Sequence, residues 1–263
     1  MSDDRERAFE FQRTTHRLLA DEVIALPQGR LLRTPSLPAI WMSNQVWLGQ
    51  PIEFDEAVEL ADRHLAGVPF LHLTVEDQET GPLLEAPFKA AGWKVECDVT
   101  MVLRREPDRE VDTSQVGEAP RAEVVELMTR WRREGPPREE GADEERQVME
   151  LWQREWGARN ARLLGVPGRS GALAAIAALY SDGSTAQVED VYTVPEERGR
   201  GFARMLVSRA IELAGEGGHE FTFIVGDDRN WPKELYARLG FEPVGRLWSF
   251  HRNRLRGDQV PAR

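Results

Sequence analysis

Arg198-Gly199-Arg200-Gly201-Phe202-Ala203 is the stretch of this chain whose residue types and spacing could do chemistry. It joins an apolar strand pattern ending at Val194 to an amphipathic helical pattern starting at Phe202. Such a turn leaves backbone N–H groups without partners at the positive end of a helix dipole. Glycines let an anion approach the backbone closely, and Arg198 and Arg200 add charge. These features suit a pyrophosphate, and they equally suit a tight helix start decorated with arginines. Two nucleotide loops are excluded. No Gly-Lys-Ser/Thr is present, and the third glycine of G-x-G-x-x-G is missing after strands that form a meander. His16, His64, His72, His219 and His251 lack metal-ligand spacing and Cys97 is alone, so no metal site is expected.

The elements that must position this loop follow from hydrophobic periodicity. Val124, Val125, Leu127, Met128 and Trp131 predict a helix over 122–133, and Val148, Leu151, Trp152 and Trp156 a second over 144–160. Three strands are expected at 161–166, 172–180 and 186–194, separated by turn formers such as Gly168, Gly171 and Asp182-Gly183. After the loop come a helix over 202–215, a strand over 220–225, a short helix from Trp231-Pro232 to Gly240, and a strand over 241–251. Trp131, Trp152 and Trp156 read first as core residues, and the acidic run Glu139–Glu145 as a solvated loop able to attract a cation.

The first half repeats the plan of the second. Gly67-Val-Pro-Phe-Leu-His-Leu-Thr-Val-Glu-Asp77 parallels Gly218-His-Glu-Phe-Thr-Phe-Ile-Val-Gly-Asp-Asp228. Phe88-Lys-Ala-Ala-Gly-Trp93 parallels Tyr236-Ala-Arg-Leu-Gly-Phe241, and a helical stretch, Phe54–Ala66, precedes the first copy. Nothing before Phe54 matches 198–203; Gln45–Pro51 stands there instead. The expected division is a degenerate copy at 1–105, a linker at 106–120, and a cofactor-competent domain at 121–263.

Composition narrows the class of protein. The chain has 263 residues and a net charge of −11, long enough to bury a core without staples. The acidic balance argues against nucleic acid, which needs a basic footprint, and is compatible with a cationic small molecule. No apolar run approaches a membrane span, and the charged Met1–Arg7 has no apolar region behind it, so a reducing cytoplasm is expected.

Val194-Pro-Glu-Glu-Arg-Gly-Arg-Gly-Phe-Ala203 resembles motif A of the GNAT superfamily of N-acetyltransferases, Gln/Arg-x-x-Gly-x-Gly/Ala, with Arg198, Gly201 and Ala203 on the fixed positions. Asn230-Trp-Pro-Lys-Glu-Leu-Tyr-Ala-Arg-Leu-Gly-Phe241 is similar to the family's Asn…Tyr…Gly-Phe segment. The resemblance spans roughly 121–252. It implies an α/β (α+β) fold of two tandem GNAT-type domains, each a mixed, mostly antiparallel sheet flanked by helices. It also implies acetyl-CoA as co-substrate. The backbone of Val191, Tyr192, Thr193 and Val194 would pair with pantetheine, and the N–H groups of Arg198, Gly199, Arg200, Gly201, Phe202 and Ala203 would take the pyrophosphate. Asn230 would lie near the pantetheine arm.

In this family the amine attacks the thioester directly, so no nucleophilic Ser or Cys is required. Tyr236 falls on the usual position of the acid that protonates the departing thiolate, and packing beneath the Gly-Phe turn is its plain alternative. Glu189 is the best candidate base, acting directly or through a water that Gln187 could position. Asp190, one residue on, should face the other side of the sheet. The expected function is transfer of acetyl from acetyl-CoA to a primary amine of a small molecule. A non-catalytic acyl-CoA-binding module and a protein N-acetyltransferase stay open, as does homodimerisation.

Overall fold

In a computed structural model that describes residues 2–134 and 142–254, the chain runs twice through one plan. The first round comprises α1 (Ser2–Leu19), β1 (Glu22–Leu26), β2 (Gly29–Arg33), a 3-10 turn (Trp41–Ser43), β3 (Gln45–Leu48), α2 (Phe54–His64), β4 (Phe70–Val75), α3 (Thr80–Ala90) and β5 (Lys94–Leu103). The second comprises β6 (Gly117–Glu118), α4 (Arg121–Arg133), α5 (Ala142–Ala158), β7 (Arg162–Pro167), β8 (Leu173–Ser181) and β9 (Thr185–Thr193). A 3-10 turn (Pro195–Glu197), α6 (Phe202–Glu216), β10 (Phe221–Asp227), α7 (Pro232–Arg238) and β11 (Phe241–Asn253) complete it. The helices and strands read from periodicity in 121–253 lie within about three residues of these bounds. The Gly135-Pro136-Pro137 turn and positions 139–141 of the acidic run lie outside the described residues.

Among the described residues all strands join one sheet, in the order β1-β2-β3-β4-β11-β5-β10-β9-β8-β7-β6. That order exchanges the closing strands of the two rounds. β11 pairs antiparallel with β4 (Phe250 opposite Leu73), while β5 pairs antiparallel with β10 (Met101 opposite Ile224). β5 and β11 pair with each other along their length, so a pseudo-twofold axis passes between them. The two cores record the exchange. Val99, Met101 and Val102 from β5 pack into the second round, and Trp248 and Phe250 from β11 into the first. Burial of each such side chain is worth roughly 1.5–3 kcal/mol, so each round draws a substantial part of its core from the other. The chain division at 106–120 therefore does not divide the sheet.

α1, unforeseen in the sequence, crosses the same boundary. Phe11 meets Phe223 edge-on at 5.4 Å, and the Arg7 guanidinium donates to Thr185 Oγ1 at 3.0 Å. Arg159, at the end of α5, donates to Thr15 Oγ1 (2.7 Å) and the Phe11 carbonyl (2.5 Å). A helix of the first round thus helps cover β9 and β10 of the second.

Candidate active site

Two left-handed residues, Gly199 (φ 77°) and Gly201 (φ 83°), shape the loop between β9 and α6. A side chain there would be strained at these angles, and no other atom lies within 4 Å of where a Cβ would stand, so the loop faces open space. Gly201 is the N-cap of α6 and supplies no capping side chain; the first intrahelical bond runs from Met205 N–H to its carbonyl. The amides of the first turn are therefore left for an external acceptor.

The arginines of the loop are already paired. Arg198 donates to Glu134 (2.8 Å) and to the Thr193 carbonyl (3.1 Å). Arg200 pairs with Glu197 and lies over the Phe202 ring at 4.7 Å, and Arg204 is held by Asp108 at 2.5 Å. The added positive charge expected of Arg198 and Arg200 is thus largely balanced, leaving the backbone amides as the free donors.

β9 opens beside this loop. β10 pairs with it in parallel only from Phe221–Thr185 to Ile224–Val188, although β10 itself continues to Asp227. The divergence begins at a bulge opposite Ala177, where Asp190 adopts φ 55°. From Glu189 to Thr193 the β10-facing edge of β9 has no strand partner, a ready template for an extended ligand.

A cavity of ≈ 820 Å³ joins these features. Of the residues singled out in the sequence, Val191, Tyr192, Thr193, Arg198, Gly199, Gly201, Phe202, Ala203, Asn230 and Tyr236 line it. Three do not. Val194 is buried and its N–H serves the Ala174 carbonyl, Arg200 turns to Glu197, and Glu189 lies behind the wall. Trp131 stacks on Tyr192 at 5.2 Å and lines the cavity, whereas Trp152 and Trp156 are core residues. The first reading of the three tryptophans as core holds for two.

Tyr236, 6% exposed on α7, packs against Gly226, where an added Cβ would lie 3.0 Å from its ring. Burial, and then the Glu189 carboxylate, raise its pKa above that of an ordinary phenol, so it carries its proton at neutral pH. Glu189, which accepts from Gln187, is itself pushed well above the usual range, first by burial and then by Asp190, Glu155 and Asp98. Asp190 corrects the expectation from strand alternation. The bulge brings its carboxylate to the Tyr180 hydroxyl (3.1 Å), on the side of the sheet covered by α5, and burial lifts its pKa to about 6.

Nothing in the sequence singles out Glu155 or Asp98. Glu155 precedes Trp156 on α5, beside the stripe that identified the helix; Asp98 reaches the second round only through strand exchange. Burial followed by Asp190 pushes Glu155 up to about 8, so between pH 4.5 and 8 the folded chain keeps a proton that the unfolded chain releases. Stability from this group is present at low pH and falls as pH rises through that window. Glu155→Gln should flatten the fall in melting temperature between pH 5 and 8; an unaltered profile would exclude Glu155 as its source.

In the first round the corresponding strands stay together, and smaller cavities of ≈ 260 and ≈ 280 Å³ lie at their ends. Superposing Gly67–Asp77 on Gly218–Asp228 puts Leu73 on Ile224, and their partners then put Val46 on Val188 and Trp47 on Glu189. By the paired Gly-aromatic segments, Phe88 stands where Tyr236 does. β3 and β4 stay paired to Leu48–Val75, extended by Glu76 N–H to the Leu48 carbonyl. The Trp47 indole donates to Glu76 (2.7 Å), which also holds Arg13 at 3.0 Å. Glu53 begins α2, with Asp55 and Glu56 in its first turn, where an anion would be repelled. Calorimetric titration with CoA should saturate at one molecule per chain; two would contradict a closed first-round cleft.

A split parallel strand pair, an uncapped glycine turn and a buried tyrosine border one cavity. Residues 125–241 match the acetyltransferase (GNAT) family, and the fold of the chain is that of tandem GNAT structures. It is similar to a conserved protein of unknown function from Staphylococcus epidermidis ATCC 12228, with TM-score 0.66 and 13% identity over 88% of this chain and 94% of that one. A GCN5-related N-acetyltransferase from Kribbella flavida gives 0.61 and 17%, covering 98% and 97%. A tandem GNAT protein from the clavulanic acid biosynthesis pathway gives 0.54 and 19%, covering 87% and 79%. At these identities the likeness is one of fold. No curated protein matches in sequence. Among the described residues no helix is long and apolar enough to cross a membrane.

Proposed function

We propose that this protein transfers the acetyl group of acetyl-CoA directly to a primary amine of a small molecule. The observation that carries this reading is that the open edge of β9, the free amides of the glycine loop and Tyr236 all border one cavity. The loop amides from Arg198 to Ala203 bind the pyrophosphate, and the β9 edge binds the amides of the pantetheine arm, with Asn230 beside it. Acetyl-CoA supplies the activated acyl group. Glu189, set behind the cavity wall, takes up the proton of the attacking ammonium through water, and its raised pKa makes the ionised carboxylate the stronger base. Tyr236 donates its proton to the sulfur as the C–S bond breaks and the C–N bond forms, so charge does not accumulate on the leaving group. The compartment this reading assumes is a reducing cytoplasm, in which the buried Cys97, its pKa raised to about 11, stays an unreactive thiol.

The test is release of CoA thiol from acetyl-CoA across a panel of primary amines, with the acetylated product identified by mass spectrometry. Acetylation of a small amine supports the proposal. Binding of acetyl-CoA without release on any amine points to a binding module, and acetylation confined to peptides points to a protein substrate.

A further inference from the structure

The segment between β5 and β6 forms neither helix nor strand, yet it is strapped across α6 and α7 at the side of the cavity. The Arg104 and Arg105 N–H groups donate to the Gly240 carbonyl (2.9 and 3.2 Å), and the Asp108 N–H donates to the Arg238 carbonyl at the end of α7 (2.8 Å). Gly240 permits this approach: its φ is 98°, and an added Cβ would stand 2.0 Å from the Arg105 carbonyl oxygen. On α6, Arg204 donates to the Asp108 carboxylate (2.5 and 3.3 Å), and Glu212 accepts from the Thr113 hydroxyl at 3.0 Å. Held at both helices, the segment places Asp108 and Arg109 in the lining of the cavity.

Charge in this part of the cavity is unbalanced. Of the four arginines that line it, Arg198 is paired with Glu134 and Arg204 with Asp108. The other two are Arg109 and Arg238. Among the described residues their exposed side chains make no hydrogen bond and no close ion pair. Both stand near Asp108, whose carboxyl is held below the ordinary range first by the Arg204 hydrogen bond and further by the charges of Arg109 and Arg238. One carboxylate among three guanidinium groups leaves positive charge over, in a chain whose net charge is −11.

The place of these charges fits one ligand group. Arg204 lies in the first turn of α6, the turn whose amides are left for an external acceptor, so Asp108 stands one side chain away from them. CoA carries its pyrophosphate on the ribose 5′-oxygen and a phosphate monoester on the 3′-oxygen, one sugar ring apart. A phosphate monoester bears a charge of about −1.5 to −2 at pH 7, and guanidinium forks match its oxygens in pairs. We propose that Arg109 and Arg238 bind the 3′-phosphate of CoA, which makes the segment joining the two rounds a part of the cofactor site. This rests on the acyl-CoA reading above. Neutral amides take the pyrophosphate, and the two free guanidinium groups take the more highly charged end of the nucleotide.

The test is calorimetric titration with CoA and with 3′-dephospho-CoA, which differ only in that phosphate. The native chain should bind the dephosphorylated form roughly 50-fold more weakly, as expected for two charge-assisted contacts. Arg109→Ala should weaken CoA binding about 10-fold and leave the Kd of 3′-dephospho-CoA unchanged, and adding Arg238→Ala should make the two ligands equivalent. Both side chains are exposed, so the variants should fold, and an unaltered Kd for 3′-dephospho-CoA checks this in the same experiment. Equal binding of the two ligands by the native chain, or equal weakening of both by Arg109→Ala, overturns the 3′-phosphate contact while leaving CoA binding intact. If neither ligand binds, the acyl-CoA reading fails and the contact falls with it.

Discussion

Gly201→Asp is expected to abolish the rise in melting temperature that acetyl-CoA gives the native protein. A ligand present at 100 times its Kd stabilises the folded state by about 2.7 kcal/mol, a shift of several degrees for a chain of this size. The substitution places a carboxylate at the N-cap of α6, among the amides that would donate to the pyrophosphate, and imposes φ 83° on a residue with a Cβ. Electrostatic repulsion and lost donors act together, since an Asp at this position can satisfy the helix amides itself. A fall in affinity of at least 1,000-fold is the expected size. Asp and Asn both tolerate left-handed conformations, so loss of fold is not the anticipated route. Gly201→Asn separates the two contributions: it matches the shape without the charge and should keep part of the shift. Absence of any shift in the native protein would remove the pyrophosphate assignment altogether.

Tyr236→Phe should lower kcat by 10- to 100-fold while leaving affinity for acetyl-CoA nearly unchanged. The ring is buried against Gly226, so Phe preserves its packing and removes only the hydroxyl. Loss of a positioned general acid is worth a factor of about 100 to 10,000; the lower figure applies when the leaving group, here a thiolate, is already stable in water. Because its pKa is raised by burial and by Glu189, the phenol keeps its proton through the neutral range, and the native kcat should show no loss attributable to it below pH 10. An unchanged kcat in the variant would mean that water protonates the sulfur.

The cofactor loop could be read from sequence because everything that makes it is local. Gly199 and Gly201, the strand before them and the helix after them occupy one short segment, and turn chemistry acts over that distance. Tyr236, Gly240 and Phe241 are readable for the same reason. The acceptor side is not local. Asp98 sits on a strand whose apolar alternation, Val95, Cys97, Val99 and Met101, would satisfy either round equally, so no pattern shows that β5 crosses to β10. Alternation places Asp190 on the wrong face because it presumes a regular strand, and a bulge depends on the register of two strands at once. α1 escaped because its buried face mixes Gln12, Arg13 and Thr15 with Ala8, Phe9, Phe11 and Leu19, leaving no clean apolar stripe.

The exchange of β5 and β11 has a consequence for how the protein is made. β4 finds its inner neighbour only in β11, the last described strand of the chain. During synthesis the first round emerges with Leu71, Leu73 and Val75 on a strand whose edge stays open until Phe241–Asn253 is translated. At roughly 5–20 residues per second that interval is on the order of ten seconds, long enough for an open edge to meet another chain. Two ribosomes on one message would hold such edges side by side. A stop codon placed within 106–120 should therefore yield an aggregating fragment in place of a small folded domain.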